Sequence, residues 1–122
     1  MAKTILVVDD SASLRQVVNI ALTGAGYDVI EACDGMDALT KLNGQKIHLI
    51  ISDVNMPNMD GIAFVAASKQ LPAYKFTPVI MLTTEANELK KQAGQAAGAK
   101  AWVVKPFQPA QMLNAVSKLI MP

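Results

Sequence analysis

Four places in the chain put groups that can do chemistry directly behind a run of apolar residues. Val7-Val8 leads into the acid pair Asp9-Asp10, and Ile50-Ile51-Ser52 leads into Asp53. Met81-Leu82 leads into Thr83-Thr84, and Val103-Val104 leads into Lys105-Pro106-Phe107. A single aspartate in such a place reads most simply as a helix cap or a turn residue. Three carboxylates in one crevice are different, because like charges a few ångströms apart repel strongly. A hard divalent cation relieves that repulsion, and an all-oxygen donor set favours Mg2+. A lysine closing an apolar run either snorkels to solvent or meets an anion. Acids, a hydroxyl, an ammonium and Mg2+ together suit transfer of a phosphoryl group onto a carboxylate. The cations neutralise charge on the equatorial oxygens, and an aspartate can serve as the nucleophile, giving an acyl phosphate.

These groups converge only if the apolar runs are strands whose carboxyl ends share one edge. The runs are Thr4–Val8, Asp28–Ala32, Ile47–Ser52, Pro78–Leu82 and Ala101–Val104. They are short, rich in Val and Ile and mostly without polar alternation, as strands buried on both faces are. Between them lie helical patterns. Leu14, Val17, Val18, Ala21 and Leu22 form one stripe, with Ser11 or Ser13 as N-cap and Gly24 or Gly26 at its stop. Met36, Ala38, Leu39 and Leu42 form a second, ending at Asn43-Gly44, and Ile62, Val65, Ala66 and Leu71 a weaker third. Met112, Leu113, Val116, Leu119 and Ile120 form a strong last stripe, with Pro109 in its first turn. The segment 86–97 holds one large apolar residue, Leu89, and is expected to be helical but lightly anchored.

Strands alternating with helices predict right-handed βαβ crossovers and an α/β, doubly wound parallel sheet of five strands, with helices on both faces. The common order for so short a chain is 2-1-3-4-5, with the functional crevice at the carboxyl ends of strands 1 and 3. Asp9-Asp10 and Asp53 stand there.

A chain of 122 residues is one domain, expected over 1–122 without an output domain. It buries about two-thirds of its unfolded surface, so its core needs no disulfide or structural metal. Hydrophobic residues at 52% and charged residues at 17% exclude a disordered chain, and one cysteine excludes an internal disulfide. No apolar run approaches the ~20 residues of a membrane span, and no cleavage-site pattern follows Met1. A cytoplasmic setting without membrane contact is expected. A net charge of +1 argues against wrapping nucleic acid. The charge is unevenly placed: eight acids lie in residues 1–60, and five lysines with one acid in 86–122.

The chain resembles the response-regulator receiver domain, and within that family the single-domain chemotaxis regulators. The resemblance rests on Leu6-Val7-Val8-Asp9-Asp10-Ser11, on Asp53-Val54-Asn55-Met56-Pro57-Asn58-Met59-Asp60-Gly61 and on Val103-Val104-Lys105-Pro106-Phe107. It implies the flavodoxin-like receiver fold and a Mg2+-dependent two-component switch with Asp53 as phosphoacceptor. Asp10 would ligate the metal directly, Asp9 largely through water, and Asn55 through its backbone carbonyl. Lys105 would pair with the phosphoryl group, Thr83 would move to it, and Trp102 would be the switch aromatic. Asn55 and Glu85, two residues beyond Asp53 and Thr83, would tune dephosphorylation. The implied partners are a histidine kinase, which supplies the phosphoryl group, a flagellar motor switch protein and a phosphatase, with the receiver itself a monomer. Such a receiver catalyses only its own phosphorylation and dephosphorylation. Trp102 stands where Tyr or Phe is usual, and Thr84 where a small residue is usual. An outward or mixed Trp102 is therefore expected in the unphosphorylated protein. The output surface is expected where segment 86–97, the last strand and the last helix meet. The Lys105–Pro106 bond is expected to be cis, since the lysine must turn back toward the crevice as its strand ends.

A phosphorelay intermediate or phosphate sink remains an alternative. So does an enzyme, a Mg2+-dependent phosphohydrolase working through an aspartyl phosphate. Against the latter, its Asp-x-Asp motif belongs after strand 1, whereas here Asp53 follows strand 3, with Asn55 two residues on and no room for a cap. A flavin carrier of the same fold would need a phosphate loop where Asp9-Asp10 would repel phosphate. No Gly-rich nucleotide motif is present.

Overall fold

The structure is a computed structural model and describes residues 3–54, 56, 59–83, 98–104 and 108–120. Along these the order is β1 (Thr4–Val8), α1 (Ala12–Gly24), β2 (Asp28–Ala32), α2 (Gly35–Lys41), β3 (Leu49–Asp53), α3 (Gly61–Lys69), β4 (Val79–Thr83), β5 (Ala101–Val104) and α4 (Pro109–Leu119). The strands form one sheet in the order β2-β1-β3-β4-β5, every pairing parallel. The expected doubly wound topology is the one found. Asn55, segment 86–97 and the Lys105–Pro106 bond lie outside the described residues.

Strand side chains alternate between two cores, which is why the runs show no polar face. Ile5, Val7, Leu49, Ile51, Ile80 and Leu82 point to one side and pack against Val18 and Leu22 of α1 and Met112 and Val116 of α4. Leu6, Val8, Ile50, Val79 and Met81 point to the other and pack against Ala38 of α2 and Phe64 and Val65 of α3.

Helix starts follow the capping chemistry. The Ser11 hydroxyl accepts from Leu14 N–H at 3.3 Å, so Ser11 and not Ser13 caps α1. Asp34 and Asp60 cap α2 and α3 by accepting from Asp37 N–H and Ala63 N–H, each at 2.8 Å. Helix α1 runs through Gly24, and Gly26, at φ +95°, carries the chain out of it.

Two strands sit slightly later than their apolar runs. β3 starts at Leu49 rather than Ile47 and extends to Asp53, and β4 starts at Val79 rather than Pro78 and extends to Thr83. Pro78 has no N–H to give, and only its carbonyl joins the sheet, accepting from Ile50 N–H at 3.0 Å. Ile47 is buried in the core without belonging to a strand. Three stripe residues face solvent instead of core: Val17 at 49% and Met36 at 52% exposure, and Ala66 of α3. In α3 the buried positions are Gly61, Phe64, Val65 and Ser68. The Ser68 hydroxyl donates to Val65 carbonyl oxygen at 2.7 Å, which lets a polar side chain occupy that inner face.

Candidate functional site

The parallel register brings the acids together. Val8 at the end of β1 pairs with Ser52, one residue before Asp53. Asp9 is 1% exposed and Asp53 7%, while Asp10 is exposed. Carboxylate oxygens of Asp9, Asp10 and Asp53 all lie within 4.8 Å of one another. Buried carboxylates require partners, and the local backbone supplies several. Asp9 Oδ1 accepts from Ser11 N–H and Asp53 Oδ1 from Val54 N–H, both at 2.8 Å. The set is all-oxygen and carries three formal negative charges within reach of one ion. That donor chemistry fits Mg2+.

Two supports were not visible in the sequence. Arg15, in the first turn of α1, donates from Nη1 to the Asp9 carbonyl at 2.5 Å and from Nε to Glu31 Oε1 of β2 at 3.2 Å. This braces the β1–α1 turn through a contact created only by the pairing of β1 with β2. The second support is Gly61. A Cβ there would lie 1.9 Å from the Asp53 carbonyl oxygen and 2.9 Å from its carbon. Gly61 N–H also donates to Val54 carbonyl oxygen at 2.8 Å. The start of α3 is thus pressed against the backbone of Asp53, and only glycine fits. In the sequence Asp60-Gly61 stands out only as the end of the 53–61 segment, and nothing in it signals that close approach.

Of the other expected residues, Thr83 is the last of β4, one position beyond Leu82, the partner of Asp53. Val104 ends β5 opposite Thr83. Lys105, Asn55 and Glu85 themselves lie outside the described residues. Trp102 pairs with Met81 in register and is half-buried against the Phe64 core. It also lines a groove of about 750 Å³ between β5 and α4, with Val104, Asn114 and Lys118. Val104 there is 44% exposed. Among the described residues no helix is long and apolar enough to cross a membrane.

Comparison with known proteins agrees with this geometry. The family model of the response regulator receiver domain matches residues 5–117. Protein PilG of Pseudomonas aeruginosa is 37% identical over 112 residues, covering 92% of this chain and 83% of PilG. The alkaline phosphatase synthesis transcriptional regulatory protein PhoP of Bacillus subtilis is 42% identical over 122 residues, 99% of this chain. The chain spans only about half of PhoP (49%). The structure of Vibrio cholerae chemotaxis protein CheY4 superposes with a TM-score of 0.95 at 48% identity, covering 98% of this chain and 100% of CheY4.

Proposed function

Because the chain belongs to the response regulator receiver family, we propose that it is a phosphorylation-operated switch whose acceptor is Asp53. The carrying observation is the convergence of three carboxylates within 4.8 Å at the carboxyl edge of β1 and β3. Asp53 attacks the phosphorus of a kinase phosphohistidine. The new P–O bond forms as the P–N bond breaks, and the departing electron pair stays on the imidazole nitrogen, which takes up a proton. The Val54 N–H orients the Asp53 carboxylate for that attack, and Gly61 lets α3 close behind it. Asp9, Asp10, Asp53 and the Asn55 carbonyl would hold Mg2+. When bound, Mg2+ supplies charge neutralisation on the transferring oxygens.

In this reading Lys105 pairs with the phosphoryl group and the Thr83 hydroxyl moves toward it. Water later attacks the acyl phosphate, returning free Asp53 and phosphate, with Asn55 and Glu85 tuning the rate. Trp102 follows Thr83 and reshapes the β5–α4 groove, the output surface. The likeness to CheY4, a chemotaxis protein, supports a chemotaxis-type histidine kinase upstream. Downstream it supports a flagellar motor switch protein, with a phosphatase to reset the signal.

Treatment with acetyl phosphate or phosphoramidate tests the reading by intact mass. One phosphoryl group is expected on the native chain with Mg2+, and none on Asp53→Asn or in excess EDTA. Undiminished phosphoprotein in either case sinks the assignment.

A further inference from the structure

At the amino edge of the sheet, opposite the acid cluster, the charge is reversed. Lys69 ends α3, Lys75 sits in the turn that follows, and Lys100 precedes β5. With Gln70, Phe76 and Gly98 they line a groove of about 530 Å³, and no acid is among its described lining residues. Among the described residues none of the three lysines forms an ion pair. Lys69 is held in place: its ammonium donates to the Thr77 carbonyl. Its stem lies against Gly98, where an added Cβ would come within 3.0 Å of Lys69 Cε. Gly98 has φ +121°, a backbone conformation that favours glycine at that wall. Burial first, then Lys100, lowers the pKa of Lys69, a cost that an incoming anion would relieve.

Phe76 adds an apolar element. It is 88% exposed, and the Lys75 ammonium stands 5.6 Å from its ring centroid. The ring contributes nothing to this chain's core, and covering it removes apolar surface from water.

We propose that this groove docks an acidic segment of a partner protein, its carboxylates meeting Lys69, Lys75 and Lys100 and an apolar side chain covering Phe76. Charge complementarity argues for it, since three ammonium groups border one concavity and none of its described lining residues is an acid. The concave shape suits a chain segment rather than the flat face of a bilayer. Five-residue strands hold this edge roughly 16 Å from the Asp53 edge, so a segment docked here leaves the phosphoacceptor accessible.

The test is NMR titration of the full 15N-labelled chain at low salt with Glu-Glu-Phe-Glu-Glu. Controls carry Leu or Ala at the centre, or Lys in place of Glu. Saturable amide shifts are expected within residues 70–77 and 98–100. Ala at the centre should bind at least threefold more weakly than Phe, and the lysine peptide should not bind. Lys75→Glu with Lys100→Glu should weaken binding at least tenfold. Both side chains are exposed, so the melting temperature should not move. Shifts that gather elsewhere, no saturable shift, or equal binding by the double variant would overturn the proposal. So would binding of phosphatidylglycerol vesicles, or self-association, through these lysines without peptide binding.

Discussion

Neutralising Asp53 should stabilise the metal-free protein. The Asp53 carboxylate has two like-charged neighbours within 4.8 Å. At that distance and an effective dielectric of about 20, each pair costs about 3.5 kcal/mol. Asp10 is exposed and therefore screened, and the Arg15 guanidinium on the Asp9 carbonyl offsets a further part. Allowing for both, replacing the charge by an amide should relieve about 2 kcal/mol. Asparagine keeps Oδ1 as acceptor for Val54 N–H, and the side chain is nearly isosteric, so little packing is lost. For a domain of this length 1 kcal/mol corresponds to roughly 4 °C, so Asp53→Asn should melt about 8 °C higher in EDTA. Mg2+ at tenfold its dissociation constant should stabilise the native chain by about 1.4 kcal/mol, and the Asn variant less. Calorimetry or circular dichroism reads both. If Asp53→Asn melts at or below the native chain in EDTA, the acids are not under mutual strain. If saturating Mg2+ leaves the native curve unmoved, the metal site is wrong.

Gly61→Ala should destabilise by about 3 kcal/mol and suppress phosphorylation by acetyl phosphate, because its Cβ would sit 1.9 Å from the Asp53 carbonyl oxygen. Equal melting temperature and phosphoprotein yield would contradict that packing. His48 has its pKa lowered by burial first, then by Lys3 and Lys46. Between that lowered value and about 6.5 the unfolded chain binds more protons. Stability from this group is therefore complete above pH ~6.5 and declines as pH falls below it. His48→Gln should flatten that slope in urea titrations, and an unchanged slope refutes it. Trp102, the chain's one tryptophan, reports on the switch. Its emission should shift with Mg2+ and again with beryllofluoride, and Thr83→Ala should blunt the second shift. An unaltered second shift in the variant would uncouple Thr83 from Trp102.

The fold was largely legible because both faces of the sheet are covered. A strand buried on two sides needs an unbroken apolar run, and β1, β2 and β5 have the bounds of their runs. The offsets at β3 and β4 arise because burial and ladder pairing are separate requirements, and Ile47 meets only the first. Helix stripes were less exact. Val17 and Met36 are apolar and exposed, and Ser68 is polar and buried, because a hydroxyl can satisfy itself within its own turn. The acid cluster was readable because strand order alone places the ends of β1 and β3 side by side, and Asp9, Asp10 and Asp53 need only follow those strands.

What the sequence by itself determined was composition along each element: which runs are strands, where the first and last helices begin, and which chemistry stands at which strand end. Such features depend on neighbours in the chain, through capping, periodicity and propensity. What only the tertiary structure decided were contacts between elements distant in sequence. Arg15 reaches Glu31 because β2 lies beside β1, and Gly61 is obligatory because the start of α3 rests on the Asp53 backbone. Lys69 and Lys100 share a groove because the end of α3 and the start of β5 meet at one sheet edge. Those distances are set by packing across the whole sheet, and no local pattern encodes them.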